Sequence, residues 1–256
     1  MSDTLSSVRQ ALRVLDALQD HEELGITEIA QALDCATSTA HRLAATLLEA
    51  TYVMKSPGGR KYRLGPAMSG TRNAAAVAHC VDVALPHMEA LRNLTGETIQ
   101  LAVLQNISIK FVAAVESEQI MRVTSRIGGL MPAHATAAGK VLLSYLSETE
   151  LAARYGDGLP PPITQFGISS LEELEIQLRL ARVNGFSQNL AEMELGVAAL
   201  AVPVIRPTGQ VLCALTLSGP LSRFDPKRLG VESSHESKLR QQLQHQAHLI
   251  SAQLTV

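Results

Sequence analysis

The residues of this 256-residue chain whose types could support catalysis do not form a complete catalytic set. Gly139-Lys140 resembles the end of a phosphate-binding loop, but that loop needs GxxxxGK followed by Ser or Thr, and Val141 follows here. His134 has the chemistry of a general base, yet no Ser or Cys nucleophile with an orienting partner accompanies it. We therefore expect His134 to fix its loop by hydrogen bonds, and we predict that the protein is not an enzyme.

Two further groups of side chains suit acid–base or metal chemistry. Glu192 and Glu194 could act as paired carboxylates, although acids in a turn before a strand are usually exposed to solvent. His245 and His248 stand three residues apart on a predicted helix, which is a possible metal-ligand spacing, but no carboxylate or Cys stands beside them. We expect neither a metal nor a cofactor.

The loop from Met131 to Gly139 is the best candidate for a ligand site. Its small residues would leave backbone N–H groups uncovered where a helix begins, and the helix dipole favours an anion at that end. A carboxylate could bind there without a basic side chain. Tight packing of a helix on a sheet would require the same Ala and Gly residues, so both interpretations stay open.

The stretch 25–64 indicates contact with nucleic acid. After a first helix over Leu5 to Gln19, Thr27 is predicted to cap a short helix that ends at Leu33. A tight connection follows, and Thr37 is predicted to cap a second helix, Ser38 to Ala50, with one apolar face. Two short helices across a tight turn form a helix-turn-helix, whose second helix can lie in a DNA major groove.

A basic hairpin follows the two helices. Tyr52 to Lys55 and Lys61 to Leu64 are predicted strands joined by a turn over 56–59. Its four cations, Lys55, Arg60, Lys61 and Arg63, have no acid among them. Such a hairpin is typical of the wing of a winged helix, which contacts phosphate or the minor groove. A winged helix that binds another protein instead of DNA is the alternative.

The composition describes a folded protein and gives no overall electrostatic preference for DNA. Hydrophobic residues make up 46% of the chain, charged residues 18%, and the formal net charge is −2. The case for DNA binding therefore rests on the local cluster of cations in the wing. Cys35, Cys80 and Cys213 are far apart in the sequence and are expected to be buried apolar fillers in a reducing cytoplasm. The sequence shows neither a signal segment nor a long apolar run, and we expect a cytoplasmic protein.

The rest of the chain predicts a second domain with an α+β fold. Short runs separated by short turns favour an antiparallel sheet, with helices on its faces. The predicted strands are Thr98–Leu104, Ile107–Val115, Gln119–Ile127, Val197–Ile205 and Gln210–Ser218. The predicted helices cover Gly65–Cys80 as a linker, Pro86–Leu94, His134–Leu146, the segments that follow the caps Ser147 and Ser170, and a C-terminal segment capped by Asp225 before Pro226. We therefore divide the chain into a DNA-binding domain (1–65), a linker helix (66–80) and an effector-binding and oligomerisation domain (81–256).

Several motifs in a fixed order resemble the IclR family of bacterial transcriptional regulators. They are STAHRL, YRLGP, MPAHATAAGK, GVAALAVPV and LTLSGP, and the resemblance runs from about Leu5 to beyond Arg223. It implies a ligand-responsive DNA-binding regulator, of a catabolic operon, whose second domain is a GAF-like sheet that binds a small molecule. It also implies a homodimer, often paired into tetramers, on a near-palindromic operator in double-stranded DNA.

The resemblance also assigns roles to individual residues. It implies contacts with a carboxylate effector from Met131, Ala137, Ala138, Gly139, Asn189, Ala199, Thr216 and Ser218. Where Asn189 and Ala199 stand, the family often has Asp and Cys. The lost carboxylate removes repulsion toward an acid ligand, and the small alanine enlarges the pocket. We therefore predict an acid bulkier than pyruvate or glyoxylate, such as an aromatic acid.

The predicted DNA contacts lie on the helix-turn-helix and the wing. Arg42 is expected to read a base, because a guanidinium pairs with guanine through two hydrogen bonds. Ser38, Thr39 and the wing cations Lys55, Arg60, Lys61 and Arg63 are expected mainly to hold phosphates. The other predicted DNA contacts are Thr27, Thr37, His41 and Thr46. An effector in the second domain would alter DNA binding through the linker helix.

Overall fold

The computed structural model describes residues 5–21, 23–56, 58–65, 74–156, 158–224 and 234–254. The chain divides into two compact units, 1–75 and 76–256. One apolar cluster fills the first unit, and two apolar clusters lie in the second. Each unit can therefore be understood from its own packing.

The first unit is a winged helix-turn-helix. Its elements are α1 (Ser6–Asp20), β1 (Leu24–Gly25), α2 (Ile26–Leu33), α3 (Thr37–Glu49), β2 (Val53–Lys55) and β3 (Lys61–Leu64). The strands form an antiparallel sheet in the order β1-β3-β2. Leu18 and Ile29 are fully buried with Ala40 and Ala44 of α3, so the apolar face of α3 packs on the other two helices. The predicted fold of this unit is confirmed, and β1 adds a strand that the sequence reading missed.

The two predicted threonine caps are wrong. Helix α2 begins at Ile26, and its cap residue is Gly25, whose N–H donates to the Glu28 carboxylate at 2.6 Å. Thr27 is therefore inside the first turn. Helix α3 begins at Thr37 itself and is preceded by Ala36, which has no capping side chain.

The second unit contains one six-stranded antiparallel sheet with helices on both faces. Its strands are β4 (Thr98–Gln105), β5 (Ser108–Val115), β6 (Leu130–Pro132), β7 (Ser187–Leu190), β8 (Val197–Ile205) and β9 (Val211–Pro220). Its helices are α4 (Ala74–Thr95), α5 (Ala137–Leu143), α6 (Glu148–Tyr155), α7 (Leu171–Asn184) and α8 (Ser234–Gln253). The strand order is β6-β5-β4-β9-β8-β7. The predicted α+β class is confirmed.

Alternation along the strands directs successive side chains to opposite faces of this sheet. On one face, Ile99, Leu215 and Leu217 pack with α4 and α8. On the other face, Ala102 and Ala214 pack with α5 and α7. Both faces are covered, and the polar residues of the second face are therefore enclosed between the sheet and the segments around α5.

The predicted strand over Gln119–Ile127 is wrong. This segment is irregular, and its backbone bonds to side chains instead of to a neighbouring strand: the Val123 carbonyl accepts from the Thr98 hydroxyl at 2.6 Å, and the Ser125 N–H donates to Glu116 at 2.8 Å. Ile120 is 98% exposed, so its apolar side chain does not mark a core strand. The edge strands are instead the short β6 and the polar β7, which the sequence reading missed.

The linker helix and the helix predicted after it form one continuous helix, α4, with Pro86 inside it. Proline in a helix interior removes a backbone hydrogen bond, but Ala84, Met88 and Leu91 on either side are fully buried and hold the helix in place. The first half of the predicted linker, 66–73, lies outside the described residues, as do the predicted cap Asp225 and Pro226.

The predicted serine caps at the starts of α6 and α7 are confirmed. The Ser147 hydroxyl accepts from the Glu150 N–H, and the Ser170 hydroxyl accepts from the Glu173 N–H. Gly185 ends α7 in a left-handed conformation at φ 69°. The helix predicted from His134 is shorter than expected, because a 3-10 turn over Ala133–Ala135 precedes α5 and Thr136 caps it. No helix in the described part of the chain combines the length and apolar character that a membrane crossing requires.

Candidate functional site

Helix α3 presents a polar face to solvent. Ser38, His41, Arg42 and Thr46 are exposed on it, while Thr39 is half-buried. The Thr46 hydroxyl donates to the Arg42 carbonyl oxygen at 3.0 Å, so it is engaged within the helix. The Arg42 guanidinium is therefore the exposed cation on a face that otherwise carries short polar groups, an arrangement that suits insertion into a groove of DNA.

The turn before α3 is held by a side chain from α1. The Arg13 guanidinium donates to the carbonyl oxygens of Leu33, at 3.4 Å, and Ala32, at 3.2 Å. Asp34 adopts a left-handed conformation at φ 51° and ends α2. These contacts satisfy carbonyl groups at the end of α2 and hold α2 and α3 at a fixed connection. Thr27 and Thr37, at the helix starts, are exposed.

The wing has an acid partner from outside the hairpin, which the sequence did not indicate. Lys55 and Arg60 are exposed, whereas Lys61 and Arg63 are half-buried. The Lys61 ammonium lies 3.4 Å from the carboxylate of Glu23, which stands just before β1. The nearby Ser56 hydroxyl and the Lys61 ammonium lower the pKa of Glu23, so this carboxylate carries its charge beside the wing. The positive charge of the wing is therefore partly compensated.

A pocket lies against the second sheet on the face that carries α5. Two rows of residues across the strands form its floor, Asn189–Ala199–Ser218 and Thr216–Gln100. All of the predicted effector contacts except Gly139 line it: Met131, Ala137, Ala138, Asn189, Ala199, Thr216 and Ser218. Its other lining residues include the apolar Ile109, Phe111, Val123, Met193 and Val197. The cavity volume is about 60 Å³, where one enclosed water needs roughly 10–15 Å³.

Gly139 supports the pocket without lining it. Its N–H donates to the Thr136 hydroxyl at 3.1 Å, so it is not available to a ligand. A Cβ at this position would lie 2.1 Å from the Ala133 carbonyl oxygen. Close packing is therefore the reason for a glycine here, as the structural interpretation of this loop predicted.

The pocket also contains a cation that sequence reasoning missed. Arg126 lines it, and the Arg126 guanidinium lies 2.6 Å from the carboxylate of Glu194, which lines it too. Both side chains are about half exposed, so this pair stands at the mouth of the pocket. Arg126 lies in the irregular segment Gln119–Ile127, for which the sequence predicts a strand. Its local sequence gives no sign that it lines the pocket.

A buried ion pair lies beside the pocket and corrects the expectation that Glu192 is solvated. The Lys140 ammonium donates to both carboxylate oxygens of Glu192, at 2.7 and 2.8 Å, and to Gln177 at 2.7 Å. Burial lowers the pKa of Lys140 and raises the pKa of Glu192, while their mutual attraction opposes both shifts. The Glu192 N–H donates to the Asn189 side chain, which donates in turn to the Ala135 carbonyl oxygen at 2.5 Å. The Glu192 backbone N–H and the Ala135 carbonyl oxygen thereby position the Asn189 side chain in the pocket.

The expected hydrogen bonds of His134 are not formed. Its ring is buried, and neither ring nitrogen has a partner among the described residues. The ring packs edge-on against Tyr155, with the ring centres 6.4 Å apart. Burial lowers the pKa of His134, and the charge on Lys140 lowers it further. The imidazole is therefore held neutral and acts as a packing group. Burial raises the pKa of Tyr155 to about 12.

The remaining candidate groups lie outside the pocket. His245 and His248 are exposed on α8. Cys80 and Cys213 are fully buried, as expected for apolar fillers, and their Sγ atoms lie 3.2 Å apart although they are distant in the sequence. Cys35 is half-buried. None of these side chains lines the pocket.

Comparison with known proteins agrees with this arrangement. The family profile for the bacterial transcriptional regulator IclR C-terminal domain matches residues 73–252, and the IclR helix-turn-helix domain matches residues 7–57. The regulator KdgR of Dickeya chrysanthemi is 35% identical over 225 residues, covering 87% of this chain and 73% of KdgR. XynR of Escherichia coli strain K12 is 33% identical over 254 residues, covering 98% of this chain and 97% of XynR.

Solved structures show the same fold. An IclR homologue from Microbacterium hydrocarbonoxydans, complexed with 4-hydroxybenzoate, is similar with a TM-score of 0.61 and 24% identity, covering 97% of this chain and 98% of that chain. The relatives are transcriptional regulators and not enzymes. With a winged helix-turn-helix before a C-terminal effector-binding domain, this chain is a DNA-binding transcriptional regulator that belongs to the IclR family.

Proposed function

We propose that this regulator senses a small organic acid, bulkier than pyruvate or glyoxylate, in the pocket on the second sheet. The observation that carries the proposal is a cation, Arg126, at the mouth of a pocket whose walls are mainly apolar. A carboxylate would pair with Arg126, and an apolar body, such as an aromatic ring, would contact Phe111, Met131 and Val197. Asn189 presents an amide to the ligand instead of a carboxylate, so it does not repel an acid.

The pair between Arg126 and Glu194 does not prevent this binding. Both side chains are about half exposed, and an exposed ion pair contributes only about 0.2–1 kcal/mol. A ligand carboxylate can therefore replace Glu194 at little cost, or share the guanidinium with it. Binding of the acid would change the surroundings of Glu194 and of the irregular segment that contains Arg126.

We further propose that the protein binds a near-palindromic operator as a dimer. Each α3 would enter a major groove, with half-site centres roughly 34 Å or a multiple apart. Arg42 would read a base, while Ser38, Thr39 and the wing cations would mainly hold phosphates. Thr27, Thr37, His41 and Thr46 are the other residues that we place at the DNA. An exposed apolar stripe runs from Leu5, just before α1, to Val8 and Leu12 on α1, at 71%, 52% and 55% exposure, and this stripe supports pairing of two copies.

The acid and the operator would be coupled through the chain. Helix α4 begins at Ala74, next to the boundary of the two units, and continues to Thr95, and two residues separate it from the floor strand β4, which begins at Thr98. A coupling of about 1–3 kcal/mol must be reciprocal, so operator DNA would change the affinity for the acid by the same factor as the acid changes the affinity for DNA. We place this regulation in the cytoplasm, on an operon for breakdown of the acid.

A mobility-shift experiment tests the proposal. The full-length protein is mixed with the DNA upstream of its own gene at two salt concentrations, with and without a panel of carboxylic acids that includes glyoxylate and 4-hydroxybenzoate. We expect a salt-sensitive shift that a bulky acid alters and glyoxylate does not. A response to glyoxylate alone would refute the proposed ligand class, and no shift under any condition would favour a protein-interaction role for the winged helix.

A further inference from the structure

We propose that the acid sensed by this protein also carries a hydroxyl group, which Gln100 and Thr216 bind at the buried floor of the pocket. This inference rests on the proposed function, because it describes the second end of the same ligand. Arg126 would hold the carboxylate at the mouth, where the side chain is 45% exposed. Gln100 and Thr216 would hold the hydroxyl at the floor, where they are 2% and 3% exposed.

The two floor residues stand side by side. Gln100 of β4 and Thr216 of β9 are directly opposite in the antiparallel register, and both line the pocket. Residues opposite each other on adjacent antiparallel strands have Cβ atoms roughly 4.5–5.5 Å apart. A single hydroxyl placed above them can therefore reach both side chains.

Both side chains carry a buried polar atom without a partner. Neither the Gln100 Oε1 nor the Thr216 Oγ1 has a hydrogen bond in the described part of the chain. Two buried hydroxyl groups on the same strand rows are satisfied: the Thr98 hydroxyl donates to the Val123 carbonyl oxygen, and the Ser187 hydroxyl donates to the Ala137 carbonyl oxygen. Buried polar atoms are normally hydrogen-bonded, so two adjacent exceptions that face a pocket indicate a polar ligand group.

The chemistry of the two atoms selects a hydroxyl. The Gln100 carbonyl oxygen only accepts, and the Thr216 hydroxyl can donate. A ligand hydroxyl can donate to the first and accept from the second, so it satisfies both. An acid with hydrogen in place of the hydroxyl would cover both atoms with apolar carbon and leave them unpaired. We expect such an acid to bind roughly 10- to 100-fold more weakly.

Calorimetric titration with matched acids tests the inference. The full-length protein is titrated at pH 7 with benzoate and 4-hydroxybenzoate, and with 3-phenylpropanoate and 3-(4-hydroxyphenyl)propanoate, which differ in length. We expect the hydroxylated member of at least one pair to bind at least 10-fold more tightly. Equal binding within both pairs would overturn the hydroxyl inference and leave acid sensing intact. Failure of all four acids to bind would overturn acid sensing by this pocket, and this inference with it.

Two variants assign the preference to the floor residues. Gln100→Met and Thr216→Val keep similar volumes and remove the unpartnered atoms. In each variant the ratio of the affinities for the hydroxylated acid and its unhydroxylated partner should therefore fall toward one. The melting temperature of the ligand-free protein should stay level or rise, because no hydrogen bond is lost.

Thr98→Val is the matched control, since Thr98 is a buried threonine whose hydroxyl bonds to Val123 and Ser117. It should lower the melting temperature and keep the preference. If both floor variants keep the preference for the hydroxylated acid, the assignment to Gln100 and Thr216 is overturned. The same holds if the floor variants lower the melting temperature as much as Thr98→Val does.

Discussion

Replacing Lys140 with methionine should destabilise the effector-binding unit strongly. The Lys140 side chain is 1% exposed and makes three hydrogen bonds, two to Glu192 and one to Gln177. Methionine has a similar length but no donor, so the Glu192 carboxylate would remain buried without its partner. Removal of one member of a buried ion pair costs about 3–5 kcal/mol. Because the Glu192 backbone N–H also holds Asn189, a shift of Glu192 after loss of its partner should weaken binding of the acid as well.

Scanning calorimetry of the full-length protein measures this loss. For a unit of this size, 1 kcal/mol shifts the unfolding midpoint by about 2–4 °C, so the expected fall is about 6–20 °C. The transition of the winged helix should not move, because Lys140 and its partners all belong to the second unit.

Two control variants separate the ion pair from general damage. Lys140→Met combined with Glu192→Leu removes both charges and should recover most of the lost stability, since an apolar pair of similar volume can replace a buried ion pair. Arg179→Met breaks the exposed pair with Glu175, whose charged groups lie 4.0 Å apart on α7, and should cost about 0.5 kcal/mol or less. A fall below about 3 °C for Lys140→Met would refute the reasoning, and so would a double variant no more stable than the single one.

Three further predictions concern DNA, the acid and pH. Arg42→Ala should weaken operator binding by about 1–3 kcal/mol and relax the preference at one position in each half-site, and an unchanged preference in a binding-site selection would count against a base contact. Arg126→Gln should weaken binding of acids in calorimetric titration. Glu194→Gln should tighten it by a few-fold at most, since the exposed pair contributes only about 0.2–1 kcal/mol. If the two variants change binding of a neutral analogue, such as the amide of the acid, by the same factors, the ligand carboxylate does not pair with Arg126. The lowered pKa of His134 means that the folded protein takes up a proton less readily than the unfolded chain, whose histidine has the ordinary value of 6.5. The contribution of His134 to the free energy of unfolding is therefore fully present above about pH 6.5 and is lost as the pH falls toward the lowered pKa. Melting temperatures measured from pH 5 to 7.5 should fall less at acid pH in His134→Asn than in the unchanged protein. An identical pH dependence in the two proteins would refute a role of His134 in acid destabilisation.

The elements with a strong local signal in the sequence were predictable. The helices of the helix-turn-helix follow from their apolar periodicity, the wing from its turn residues, and the caps at Ser147 and Ser170 from partners three positions away. The local signal failed at Thr27 and Thr37, where Gly25 and Ala36 precede the helices instead. The long strands β4, β5, β8 and β9 were predictable from their apolar character. The resemblance to a known family added the positions that meet in the pocket, and all but Gly139 line it.

The tertiary structure alone decided which distant groups meet. Lys140 and Glu192 are 52 residues apart, and Arg126 and Glu194 are 68 apart, so no local pattern could pair them. The apolar residues near Ile120 suggested a strand, but a strand forms only when its backbone pairs with a neighbouring strand. In this sheet β6 pairs with β5 and forms the edge. The polar segment β7 does form a strand, because its backbone groups make hydrogen bonds with β8. Local sequence determines which elements form readily, whereas burial and hydrogen bonding across the assembled sheet determine which side chains share the pocket.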